Sequence, residues 1–273
     1  MAAIAHIRCS RPLGLRNVFA QVLIVAFMSG AAPLRAYAQA TQSASSGTPA
    51  TRPAGAESQA VASTNSDDDA QQQLLTQGSE LIKSGRPADA VAGPIAQVIA
   101  HYENGPGKDR SKRHYCARTP AESLLYLAEA AKDHLDAVVL SPTWANAYFF
   151  ESSALTDLGR IEESQAALHK ALELSPWNSW YLSELGYTYE MQHDFDKALE
   201  VFQQAEAAAN FSPDNLKTIE LTHALRGEGY ALTELRRLDE AESKYHKALK
   251  LDPNDQKSKN ELEYIGQLRA KSE

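Results

Sequence analysis

Residues 169–176 read His-Lys-Ala-Leu-Glu-Leu-Ser-Pro and residues 246–253 read His-Lys-Ala-Leu-Lys-Leu-Asp-Pro, so six of eight positions agree at an offset of 77. The agreement continues upstream, where Leu158, Arg160 and Glu163 correspond to Leu235, Arg237 and Glu240. Between the two copies lies Leu185-Gly186-Tyr187-Thr188-Tyr189, followed by Ala198, Phe202 and Ala205. Self-similarity of this kind marks stacked units, none of which buries its apolar face alone. Each unit carries apolar residues at helical spacing on one face. Small residues stand where the two helices of a pair approach each other: Gly186 and Gly229 in first helices, and Ala171, Ala205 and Ala248 in second helices. Pro176 and Pro253 end one helix and set the turn to the next. Ser212-Pro213, ahead of a long apolar-periodic run, reads as an N-cap followed by Pro at the first helical position. The extra residues after it are therefore expected to be helix, not loop.

The offset of 77 is two periods of about 34 residues plus about nine. A unit of that length, with Leu-Gly in a first helix, a small residue and an aromatic in a second, and a closing Pro, resembles the tetratricopeptide repeat. The unit 179–212 carries Leu182, Leu185, Gly186, Tyr189, Ala198, Phe202 and Ala205, although its proline, Pro213, comes late. The unit 222–255 carries Leu225, Gly229, Leu232, Ala241, Tyr245, Ala248 and Pro253, with Glu228 where the family prefers a large apolar residue. The unit 145–178 carries Tyr148, Leu155, Leu168, Ala171 and Pro176, but Glu151, Ser152 and Ser164 stand where Leu, Gly and Ala are preferred.

The resemblance implies an all-α solenoid of helix hairpins over 143–272. A capping helix at 256–270 would close it, with Leu262, Ile265 and Leu268 inward and charges outward. It also implies a function: the first helices of such units line a concave groove that holds a segment of another protein. The matching groove positions here are Asn146, Phe149, Ser153, Trp180, Ser183, Tyr187, Glu190, His223, Arg226 and Tyr230. Aromatic residues and Arg are the types that dominate binding energy at interfaces. Family members that grip a C-terminal carboxylate use Lys, Arg and Asn at set positions. Phe149, Ser153, Glu184, His223 and Gly227 occupy those positions here, which argues against that specificity.

The N-terminal part reads differently. Residues 1–38 contain Arg8, Arg11, Arg16 and Arg35, no acid, an apolar run from Val18 to Met28 broken only by Gln21, and Ala36-Tyr37-Ala38 before Gln39. This pattern describes a cleavable secretory signal, with a retained anchor as the alternative. The run falls short of the ~20 apolar residues that span a bilayer. The mature chain is then expected in the periplasm or secreted, with no stable membrane span. Residues 39–70 are rich in Ala, Ser, Thr, Gln, Gly and Pro, hold only Val61 as a larger aliphatic, and end in Asp67-Asp68-Asp69. Such a stretch reads as a disordered tether. The chain has 27 basic and 35 acidic residues, a net of −8; without the four signal arginines it has 23 against 35, a net of −12. That balance excludes nucleic acid as the expected partner.

Residues 71–142 read as a degenerate helical, repeat-like region. Gly78, Leu81 and Ala90 keep repeat spacing, but Gly93-Pro94 falls inside a second helix and should kink it. A basic loop follows at 104–119, with Lys108, Arg110, Lys112 and Arg113. It is either a docking site for an acidic partner or a solvated surface. Residues 120–140 are expected to be helical. Apart from Cys9, which would leave with the signal, Cys116 is the one cysteine. No two histidines share a helix face at metal-ligand spacing, and no Gly-x-Ser-x-Gly elbow is present. The reading is a protein–protein interaction scaffold of the cell envelope, with no cofactor or metal and no enzymatic activity. Its alternatives are an enzyme or enzyme subunit using Cys116 and the basic loop, and a glycan- or peptidoglycan-binding adaptor stacking sugars on aromatics such as Trp180.

Overall fold

Asn178 begins a helix by taking two backbone N–H groups, those of Trp180 (3.1 Å) and Tyr181 (3.3 Å), on its side-chain oxygen. This is what an N-cap does for donors that have no partner within the helix. Asp194 and Asp255 start two later helices in the same way. The computed structural model describes residues 54–271, with side chains from residue 67 onward. Helix α1 spans Ala54–Lys83, α2 Pro87–Ala90 and α3 Ala96–Asn104; a π-type turn, Val91–Ile95, joins the last two. Strand β1 (Arg113–Cys116), helix α4 (Pro120–Lys132) and strand β2 (Ala137–Leu140) follow. Then come α5 (Thr143–Asp157), α6 (Ile161–Leu174), α7 (Ser179–Met191), α8 (Phe195–Ala208), α9 (Asp214–Glu234), α10 (Leu238–Leu251) and α11 (Gln256–Ala270).

Helices α5/α6, α7/α8 and α9/α10 pack as hairpins, and each hairpin stacks on the next through α6 on α7 and α8 on α9. Helix α11 closes the stack against α10 and α9. Together they form an all-α solenoid. The extra residues after Pro213 are the first turns of α9, which is 21 residues long. Ala198, Phe202, Ala231, Leu232, Ala241, Tyr245 and Ile265 form one buried cluster joining α8, α9, α10 and α11. Phe202 lies between two glycines: a Cβ on Gly186 would come 2.9 Å from its ring and one on Gly227 2.2 Å. Gly229 admits the Tyr245 ring in the same way, at 2.7 Å.

The hairpin turns share one backbone device. Gly159, His193 and Arg236 all have positive φ, at 74°, 60° and 62°. Each is the residue that reverses the chain after a first helix. The left-handed conformation costs a side-chain-bearing residue roughly 1 kcal/mol or more, while glycine adopts it freely. His193→Gly and Arg236→Gly are each expected to raise stability by about 0.5–1 kcal/mol, read as a higher thermal midpoint. The equivalent Gly159→Ala should lower it.

Three features differ from the sequence reading. First, α1 begins at Ala54, so 54–70, read as disordered tether, is helical. Scarcity of large apolar residues argues against a core, but Ala, Gln and Glu are good helix formers and no proline follows until Pro87. The 1–38 signal-type segment and residues 39–53 lie outside the described residues. Second, the 104–119 loop ends in a strand. Third, the helix expected over 120–140 stops at Lys132. Arg113–Cys116 pairs in parallel with Ala137–Leu140, in register Arg113 with Ala137 and Cys116 with Leu140, and α4 is the crossover. A four-residue apolar run cannot be told from buried helix by periodicity. His134, at φ 56°, ends α4, and its neighbour Leu135 donates back to the Ala130 carbonyl (2.9 Å).

A buried ion triad joins this βαβ unit to the solenoid. The Arg118 guanidinium donates to Glu122 Oε1 through Nε (2.9 Å) and Nη2 (2.7 Å), and to Glu220 Oε1 through Nη1 (2.6 Å). The Arg118 backbone N–H donates to Glu122 Oε2 (2.6 Å), and the Ser212 hydroxyl donates to Glu220 Oε2. Glu220 belongs to the added turns of α9.

Candidate partner-binding groove

The first helices α5, α7 and α9 carry the expected groove residues, and the structure divides them into two groups. On α5 the positions are largely occupied by the protein itself. Asn146 accepts a hydrogen bond from the Tyr181 hydroxyl (2.6 Å). Phe149 stacks on the Tyr181 ring, with centroids 5.4 Å apart and planes at 21°. Trp180 is a correction to the sequence reading. It is only 3% exposed and stacks on His223, centroids 4.6 Å apart. It is wall, not surface, because α9 is close enough to α7 to cover it. Ser183 is also buried. Burial pushes the His223 imidazole pKa down to about 3, with the Arg226 and Lys257 charges adding to the effect.

For the remaining residues of α7 and α9, joined by residues of α11, the outcome is different. Arg226 is half-buried and donates to Asp255 Oδ1 (3.3 Å), the residue that caps α11. Burial and the neighbouring Arg226 charge lower the Lys257 ammonium pKa to about 8, with Asp255 opposing. Tyr187 is half-buried against the core cluster, and Tyr230 meets Phe195 edge-on at 6.4 Å. Glu190 ends this face of α7. Burial raises its carboxyl well above the usual range, and the charges of Glu234, Glu261 and Glu184 raise it further. Lys257, Glu261 and Tyr264 of α11 thus join a site that the sequence reading confined to α5, α7 and α9. Their spacing, four and then three residues, already placed them on one helix face.

The basic residues do not form one docking patch. Lys108 and Arg110 are exposed, and Lys112 pairs with Asp109 at 3.6 Å. Arg113 opens β1; it donates to the Glu173 carbonyl on α6 (3.1 Å) and sits over the Tyr115 ring (5.5 Å). Its charge therefore helps hold the strand pair to α6. Cys116 is fully buried, and burial pushes its thiol up to about 12. A thiol held protonated in this way is a poor nucleophile, so Cys116 does not support the enzyme alternative. Among the described residues no helix is long and apolar enough to cross a membrane.

Comparison with known proteins places these hairpins. Sequence profiles described as Tetratricopeptide repeat match residues 151–213 and residues 223–255. No curated protein matches the chain. Solved structures similar to it include the first TPR of Spaghetti (RPAP3) bound to the HSP90 peptide SRMEEVD, at 25% identity over 46% of this chain and 93% of that one, TM-score 0.36. The Sgt2 TPR domain from Aspergillus fumigatus matches at 19% identity over 47% and 80%, TM-score 0.41. MamA from Desulfovibrio magneticus RS-1 matches at 15% identity over 74% and 86%, TM-score 0.48. The matched stretches fall on the α5–α8 and α9–α10 hairpins, which are therefore tetratricopeptide repeats.

Proposed function

We propose that the chain is a protein-interaction module of the cell envelope. Its first-helix face across α7, α9 and α11 takes a segment of a partner protein. The observation that carries this is a row of half-buried tyrosines, Tyr187, Tyr230 and Tyr264, one on each of three successive first helices. Aromatic side chains of this kind anchor interfaces. The repeat family supports the same reading, and the envelope placement rests on the basic, apolar and Ala-x-Ala pattern of residues 1–38. Trp180, the aromatic named for sugar stacking, is buried, which leaves the glycan reading without that support.

The test is crosslinked capture from an envelope fraction, with the chain from Gln39 onward as bait and a Tyr187→Ala/Tyr230→Ala variant, shown helical by circular dichroism, as comparison. A protein enriched by the wild type and lost with the variant is the expected result. Equal enrichment by both, or none by either, overturns the groove reading.

A further inference from the structure

We infer that the segment held on this face is basic, and that an arginine or lysine of the partner seats among Glu190, Glu234 and Glu261 beside Tyr187, Tyr230 and Tyr264. The inference deepens the groove reading above and rests on it. Glu190 lies on the same face of α7 as Glu184 and Tyr187, at spacings of three residues. On α9, Glu234 follows Tyr230 by four; on α11, Tyr264 follows Glu261 by three. Each first helix thus presents a carboxylate and a phenol ring together. Among the described residues, Glu234, Glu261 and Glu184, carboxylates from all three helices, act on Glu190. Its Oε1 is shut off from solvent and takes no hydrogen bond.

A buried carboxylate oxygen without a donor is unfavourable, and like charges around it add to the cost. Unmet acceptors of this kind in a folded protein call for an explanation. A cation that arrives with its own N–H donors supplies what is missing. The tyrosine faces suit the same guest, because aromatic rings attract guanidinium and ammonium groups. Among the described residues no three such side chains converge as ligands for one metal ion. A planar, multi-donor guanidinium fits dispersed carboxylates better than a compact ion does. Among the described residues, Arg226 and Lys257 lie one turn earlier on their helices, beside Asp255.

The experiment titrates the full chain with fluorescent hexa-arginine and hexaglutamate peptides at moderate salt. Hexa-arginine is expected to bind in preference to hexaglutamate. Glu190→Gln and Glu261→Gln are each expected to weaken it by about tenfold or more, the loss of one charge-assisted hydrogen bond. Glu162→Gln, an exposed acid on α6 with the same charge change, should leave binding unaltered. Equal weakening by all three variants would mean attraction to net charge alone and would sink the proposal, as would equal or better binding of hexaglutamate. The groove reading fails separately. If a captured partner is lost with the tyrosine variant but kept with Glu190→Gln, the groove stands and the basic guest is wrong.

Discussion

Arg118→Met is expected to destabilise the protein by ~3–5 kcal/mol, the usual consequence of removing one partner from a buried ion pair. The arginine side chain is 6% exposed, and the two carboxylates facing it, Glu122 and Glu220, are 1% and 0% exposed. Methionine fills the volume but leaves two acids buried without their cation. The favourable Coulomb and hydrogen-bond energy is lost, while the desolvation of both carboxylates remains. The comparison that isolates this is Arg118→Met/Glu122→Gln/Glu220→Gln, in which no charge is left to strand. That triple variant should recover most of the loss, since a neutral packed replacement of a buried ionic group is often tolerated. Urea unfolding followed by circular dichroism reads both. A loss below about 1 kcal/mol for Arg118→Met, within the range of an exposed pair, would show that the triad is more hydrated than its geometry indicates.

The triad also shows where the sequence stops being legible. The hairpins could be read because their determinants are local: apolar residues every third or fourth position, Gly186 and Gly229 at close approaches, and prolines at the ends. Glu220 sits in the added turns of α9, and a lone acid on such a helix reads as solvated. Its burial depends on Arg118, 102 residues away. The strand pair is hidden as well. Arg113–Cys116 and Ala137–Leu140 each span four residues, too short for an alternating pattern to tell strand from helix. At the candidate site, helical spacing placed Asn146, Phe149, Trp180, Tyr187, Glu190, His223, Arg226 and Tyr230 on first-helix faces. Spacing says which way a side chain leaves its helix, not what meets it. Tyr181 covers Phe149 and engages Asn146, and His223 covers Trp180. Glu261 and Tyr264 lie on α11, whose sequence reads as a cap, and the outward face of a cap need only be polar.

Phe202→Ala is expected to cost ~3–5 kcal/mol, the range for removing a buried phenylalanine. The ring is 2% exposed and belongs to the cluster that joins α8, α9, α10 and α11. The more discriminating change is on the glycine facing it. In a helix, Gly→Ala is favourable by up to about 1 kcal/mol from propensity alone. At Gly227 the new methyl would lie 2.2–2.4 Å from three atoms of the Phe202 ring. The ring has little room to swing clear, because it is 2% exposed and packed in the cluster that joins α8 to its neighbours. Overpacking of this kind costs ~1–3 kcal/mol and should outweigh propensity, so Gly227→Ala lowers stability in the natural chain. In a Phe202→Leu background the obstructing ring atoms are gone, and the same substitution should become neutral or stabilising. The four proteins of this cycle, compared by urea unfolding, should show a loss from Gly227→Ala that disappears in the Phe202→Leu background. A stabilising Gly227→Ala with Phe202 intact would mean that α8 and α9 can part by the needed distance. The glycine would then be there for a reason other than the ring, and its place on the first-helix face beside Tyr230 would be the next thing to test.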